Sequence, residues 1–148
     1  WMSTSFEIGG IAGTILLGWV SDRYQRLSRS TWALLSLVGL AAALLLYAQV
    51  GASSLVLNFC SMALVGALLF GPDALLSGAA AQDAGGPKAA AIAAGLINAI
   101  GSLGAVFQEL VTRGLSTRFG WGALFYAFVG FALLSALALV PTYFLSKR

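Results

Sequence analysis

Residues 31–50, TWALLSLVGLAAALLLYAQV, run for twenty positions without a single charged side chain. A helix needs about 20 mostly apolar residues to cross the roughly 30 Å hydrocarbon core of a bilayer, so this stretch predicts a membrane span. The whole chain follows the same pattern. Of 148 residues, 59% are hydrophobic and 9% are charged, with a mean hydropathy of +0.92. A soluble domain carries about a quarter charged residues, enough to cover a surface that faces water. This chain has too few, and the predicted fold class is an all-α integral membrane protein in contact with the lipid bilayer.

Along the chain, five stretches are long and apolar enough to span: roughly 1–20, 31–50, 54–81, 89–113 and 121–145. The links between them carry the charge. SDRYQRLSRS holds Asp22, Arg23, Arg26 and Arg29; QDAGGPK holds Asp83 and Lys88; the fourth link holds Arg113 and Arg118; and the chain closes on Lys147 and Arg148. Alternate links lie on opposite sides of a membrane. One side therefore collects six basic residues (Arg23, Arg26, Arg29, Lys88, Lys147, Arg148) and the other two (Arg113, Arg118). Because basic residues stay in the cytoplasm, residue 1 is expected outside and residue 148 inside. Trp19, Trp32 and Trp121 fall near span ends, where indoles favour the headgroup region. The opening WMSTSFEIGG lacks the charged leader and small-residue cleavage site of a signal peptide, and reads as the start of a piece of a longer protein.

Several function classes have no support in these residues. The basic residues form no stripe, so no nucleic-acid partner is expected. There is no histidine, which removes the commonest general base. The lone Cys60 lies within an apolar run and makes neither a disulfide framework nor metal-ligand spacing. Without a nucleophile–base pair or a phosphate loop, no catalytic residue, metal site or cofactor is expected, and the chain is not expected to be an enzyme.

Polar residues inside the spans carry more information. An ionised acid at the bilayer centre costs about 2.5–3.5 kcal/mol on insertion scales, so it needs a partner, water or a proton. Glu7 and Asp73 look embedded in this way. Asp73 follows Gly71-Pro72, and a proline removes one helical hydrogen bond and crowds the preceding turn, so a kink is expected there. Two readings of Asp73 stand: a hinge beside a binding cavity, or a structural kink with the acid in a fixed ion pair to a helix outside this sequence. In the fourth span Ala91, Gly95, Asn98, Ser102, Ala105 and Glu109 share one face at steps of three and four. Close helix packing through small residues accounts for most of that stripe, but the Asn98 amide needs a partner or water, and cavity lining is its functional reading. Glu109 and Arg113 stand in the favourable order for a helical ion pair. Gly9 and Gly13 form a G-x-x-x-G pair suited to close backbone contact with another helix. Spans 31–50 and 121–145, nearly free of polar groups, are expected to face lipid.

Three segments together resemble a known family. GGIAGTILLGWVSDR (9–23) contains Gly18, Asp22 and Arg23 in the Gly-x-x-x-Asp-Arg signature of the major facilitator superfamily, in the form of its second copy after helix eight. FGPDALLSGAAAQDAGGPKAAAIAAGLINAIGSLGAVFQ (70–108) is similar to helices ten and eleven of the organophosphate:phosphate antiporters, which include glycerol-3-phosphate and hexose-6-phosphate carriers. FGWGALFYAFVGF (119–131) is similar to the Gly-Trp start of helix twelve. The resemblance implies helices eight to twelve of a twelve-helix transporter, with the preceding helices of the same protein as its partners, a cytoplasmic C-terminus and a small anionic substrate. It implies a secondary carrier that exchanges a phosphorylated metabolite for inorganic phosphate across a cell membrane, the bacterial inner membrane by its short loops. A sugar-phosphate sensor on the same fold, or a carrier of another small solute, is the alternative. By resemblance, Asp22 and Arg23 with Gly18 belong to a cytoplasmic gate, Glu7 matches an acid of some members, and Phe70, Gly71 and Pro72 match a cavity-facing kink. Asp73 departs from the family, whose members often carry a neutral residue there. A negative charge beside an anionic substrate is unfavourable, so this acid is expected to be ion-paired or protonated. The family's main phosphate-binding arginines fall outside these residues.

Overall fold

A computed structural model describes residues 2–24 and 26–145; for residues 2, 83–88, 143 and 145 it describes the backbone alone. The side chains of Asp83 and Lys88, and the tail with Lys147 and Arg148, lie outside the described residues, so the charge count above is carried here only by Arg23, Arg26, Arg29, Arg113 and Arg118. The described backbone is helical almost throughout: α1 (Met2–Arg23), α2 (Arg29–Val50), α3 (Leu55–Ala74) running into a π-helical segment (Leu75–Ala80), and α4 (Ala81–Leu145). Helices satisfy every backbone amide within one segment, which is what a bilayer demands.

Serines start two of these helices. The Ser28 hydroxyl accepts from the Thr31 amide at 3.3 Å and pairs with the Thr31 hydroxyl at 2.8 Å, and Ser54 accepts from the Leu57 amide at 3.2 Å. Each satisfies one of the amides that a helix start leaves without a partner. The α2–α3 turn is locked from inside. Asn58, buried in the first turn of α3, donates from Nδ2 to the Gly51 carbonyl at 2.7 Å, beside the Tyr47 hydroxyl at 3.5 Å.

Helices α1 and α3 pack with their backbones in contact. A Cβ built on Gly9 would lie 1.9 Å from the Ala63 carbonyl oxygen, one on Gly13 would lie 2.2 Å from that of Ala67, and one on Gly66 would lie 2.1 Å from that of Phe6. Only glycine allows this approach, so the G-x-x-x-G pair performs the packing expected of it. Phe70 lies over Gly10 and meets Phe6 edge to face, ring centroids 5.2 Å apart. On its other side α3 packs on α2, where Val65 joins Leu37, Leu40, Ala41, Ala43 and Leu44 in the core.

For residues 31–50 the expectation of a lipid-facing span is corrected by this packing, while 121–145 bury, among the described residues, only Leu124, Ala132 and Ala136 and keep most of their large apolar side chains exposed. Helix α2 lies between α3 and the C-terminal part of α4, whose Ala132 and Ala136 enter the same core; the Tyr47 and Phe125 rings meet at a tilt, centroids 4.9 Å apart. Only one face of α2, with Leu35, Val38, Leu45 and Leu46, is exposed. Apolarity cannot separate the two cases, since lipid tails and neighbouring leucines make equally apolar surroundings.

Span boundaries also differ. Links 82–88 and 114–120, expected as breaks, are helical, and α4 is 65 residues long. Within it Gly120 alone among the described glycines has positive φ, at 78°, a conformation that costs other residues a clash at Cβ. Among the described residues three stretches are long and apolar enough to cross a membrane: Arg29–Val50, Leu55–Ala80 and Ala89–Thr142. The last, at 54 residues, would measure about 80 Å if straight, more than twice a hydrocarbon core. The more polar α1 is not among them. Its place in the bundle comes from its glycine contact with α3.

Gly13→Ala in the full-length protein should therefore lower the thermal unfolding midpoint in detergent, since overpacking costs about 1–3 kcal/mol. Gly39→Ala, whose Cβ would sit at an ordinary 3.4 Å from the Leu68 side chain, should leave it unchanged or slightly raised. Equal shifts would remove the backbone contact from the fold.

Candidate functional site

Beyond Pro72 the helix loosens. Proline has no amide to offer to the preceding turn, and within three residues α3 gives way to the π-helical segment Leu75–Ala80. Short π segments inside α-helices are frequent at functional sites. Gly71 and Pro72 are buried; a Cβ on Gly71 would lie 2.9 Å from the Leu17 side chain. The next residue, Asp73, is exposed and opens onto a cleft.

That cleft has a volume of about 410 Å³ and is lined by Asp73, Ile97, Asn98, Gly101, Ser102 and Ala105. Small-molecule sites measure about 300–1,000 Å³. Residues 97, 98, 101, 102 and 105 recur at steps of three and four, one face of the N-terminal part of α4. Asp73 and Asn98 are 25 positions apart, which a straight helix would spread over about 37 Å. Sharing one cleft requires the chain to fold back between them. The N-terminal part of α4 thus faces α3 across open space and does not pack on it.

This changes the reading of the small-residue stripe. A Cβ on Gly95, Gly101 or Gly104 would meet nothing within 4 Å, so within the described residues the stripe makes no close helix contact. Asn98, Ser102 and Ala105 of the stripe border the cleft, together with Ile97 and Gly101, which the sequence pattern did not single out although each lies beside a stripe residue. Two hydroxyls are tied back to their own helices: Ser77 donates to the Asp73 carbonyl at 2.7 Å and Ser102 to the Asn98 carbonyl at 2.8 Å.

The other candidate residues lie elsewhere. Phe70 is half-buried against α1, outside the cleft lining. Glu7 is exposed on α1 and does not line the cleft either. Asp22 pairs with Arg29 at 3.2 Å, closing the α1–α2 link. Both groups are partly solvated, so the pair contributes at most about 1 kcal/mol. The same link holds the Trp32 indole against the Tyr24 carbonyl at 3.5 Å. Arg23 is exposed beside it, and a Cβ on Gly18 would meet open space. Glu109 and Arg113 form the helical ion pair at 2.8 Å, on the exposed surface. Asn58 was not apparent as a structural residue from sequence, because an isolated amide near a span end looks like any polar residue at an interface.

Apolar helices long enough to cross a bilayer, with a polar-lined cleft open between two of them, define a multi-pass membrane protein. Its family follows from comparison: the sequence profile of the Major Facilitator Superfamily matches residues 1–148, and the chain belongs to that superfamily. It is 32% identical over 149 residues to the glycerol-3-phosphate transporter of Bacillus subtilis (strain 168), covering 100% of this chain and 33% of that protein. It is 37% identical over 145 residues to a candidate glycerol-3-phosphate transporter of Arabidopsis thaliana, covering 93% of this chain and 26% of that protein. It is 33% identical over 145 residues to the glucose-6-phosphate exchanger SLC37A2 of Bos taurus, with 93% and 29% covered. The chain thus spans about a quarter to a third of the length of these relatives. No solved structure matches it.

Cysteines placed at positions 73 and 98 in a Cys60→Ser background should be joined by a short flexible bis-maleimide, detected as an intramolecular cross-link by mass spectrometry of the digest. Cross-linking no better than for a pair on opposite sides of the bundle would mean that the two residues do not share a cleft.

Proposed function

We propose that this chain forms part of a secondary carrier that exchanges a phosphorylated metabolite for inorganic phosphate by alternating access, and that it acts as a carrier, not an enzyme. The observation that carries the reading is similarity along almost the whole chain to proteins named as glycerol-3-phosphate transporters and a glucose-6-phosphate exchanger. The cleft supports it by its size and by joining polar groups from two helices within an otherwise apolar bundle.

In this reading the chain supplies helices eight to twelve of a twelve-helix fold, with α4 contributing two crossings on either side of Gly120. The halves of such a carrier rock about a site near the bilayer midplane. The Gly71–Pro72 step and the π segment after it act as the hinge, because they already lack the regular hydrogen-bond ladder that would resist bending. Asp22 and Arg23, with Gly18 at the approach, serve the cytoplasmic gate; the Asp22–Arg29 pair stiffens the link that must move as that gate opens. Glu7 is a second candidate for the transport path from α1. The basic residues of the α1–α2 link support a cytoplasmic position for that link, with the start of α1 outside and the chain in a cell membrane, the inner one in a bacterium.

The full-length protein, reconstituted in vesicles loaded with inorganic phosphate, should exchange labelled phosphate for external glycerol 3-phosphate or glucose 6-phosphate with saturation. Specific binding without flux would replace the carrier by a sensor. Separately, Arg26→Cys should react with an impermeant maleimide from the cytoplasmic side only, and Thr117→Cys from the outside only; the reverse pattern would invert the topology.

A further inference from the structure

The polar lining of the cleft has a definite chemical bias. Asp73 carries an ionisable carboxylate; Asn98 offers both a donor and an acceptor; and Ser102, its proton already committed to the Asn98 carbonyl at 2.8 Å, is left as an acceptor. Ile97, Gly101 and Ala105 complete the wall. None of the six lining residues is basic. Such a wall is rich in acceptors and, with Asp73 ionised, negative. It repels a phosphate group and attracts groups that donate hydrogen bonds.

We propose, resting on the carrier reading above, that this cleft receives the uncharged, hydroxyl-bearing end of a phosphorylated substrate, with the phosphate directed away from α3 and α4. Substrate hydroxyls donate to the Asp73 carboxylate, the charge-assisted and stronger class of hydrogen bond. Asn98 accepts from one hydroxyl and donates to the oxygen of the next. The short side chains of Gly101 and Ala105 leave room for a carbon skeleton, and Ile97 gives it an apolar surface. The acid that fits poorly beside a phosphate thereby becomes a specificity-determining residue. It sets which way round the ester binds and how many hydroxyls are read.

The test uses the full-length carrier in vesicles and two competitors of labelled phosphate uptake: glycerol 3-phosphate, and propyl phosphate, which has the same number of carbons without the hydroxyls. Against the wild type, glycerol 3-phosphate should compete at least about tenfold better, the discrimination expected when hydrogen bonds to a charged group are lost. In Asp73→Ala that preference should fall close to parity, and Asn98→Ala should move it in the same direction. Should Asp73→Ala fail to insert or fold, Asn98→Ala and Ser102→Ala carry the same comparison. A wild type indifferent to the hydroxyls, or a preference that survives in the variants that fold, overturns the proposal. A proton or metal-ion site at Asp73 gives the latter result. Absence of labelled phosphate uptake by the wild type overturns the carrier reading itself, before any variant is made, so the two failures are distinguishable.

Discussion

The bundle is organised around the contact of backbone with backbone between α1 and α3. In a bilayer there is no hydrophobic gain from pressing one apolar helix against another, and association rests on close packing. Gly9, Gly13 and Gly66 allow an approach in which a single added carbon would overlap a carbonyl. That contact fixes one face of α3, through Ala63, Ala67 and Phe70, against α1. Val65 and Leu68 on the roughly opposite face then meet α2. With two opposite faces committed, the flanks of α3 remain, and Asp73 lies about a quarter turn from the face that meets α1.

The cleft opens at that flank. An acid, an amide and a hydroxyl are each costly against acyl chains, and gathering them about one open space lowers the cost of all three. Pro72 contributes twice. It is buried against the bundle, which anchors the end of α3, and its missing amide introduces the irregularity after which the π segment begins. The residues on either side of that irregularity differ sharply in environment: Gly71 and Pro72 are packed, while Asp73 is exposed.

Two groups of residues stand outside the packing of the bundle within the described residues. The Gly18–Asp22–Arg23 signature makes no close contact at Gly18, which faces open space, and its Asp22–Arg29 pair is partly solvated. Nor does the polar face of α4 from Ile97 to Ala105 seal against anything within the described residues.

Membrane character, helical content, the G-x-x-x-G packing role and the Glu109–Arg113 pair were all legible in the amino-acid sequence, because each depends on length, composition or spacing within one helix. Asp73 and Asn98 could each be singled out as a polar residue in an apolar run, but not as neighbours. A link between their two spans was expected at 82–88, but which faces of those spans look at each other depends on the packing of the helices, and no local pattern encodes that. The burial of α2 was likewise beyond reach, since a leucine face suits lipid and protein equally. Local pattern specified which segments are helices and which residues in them are out of place in lipid. Which of those residues share a space was settled by the packing of the bundle, because it turns on contacts between helices far apart along the chain.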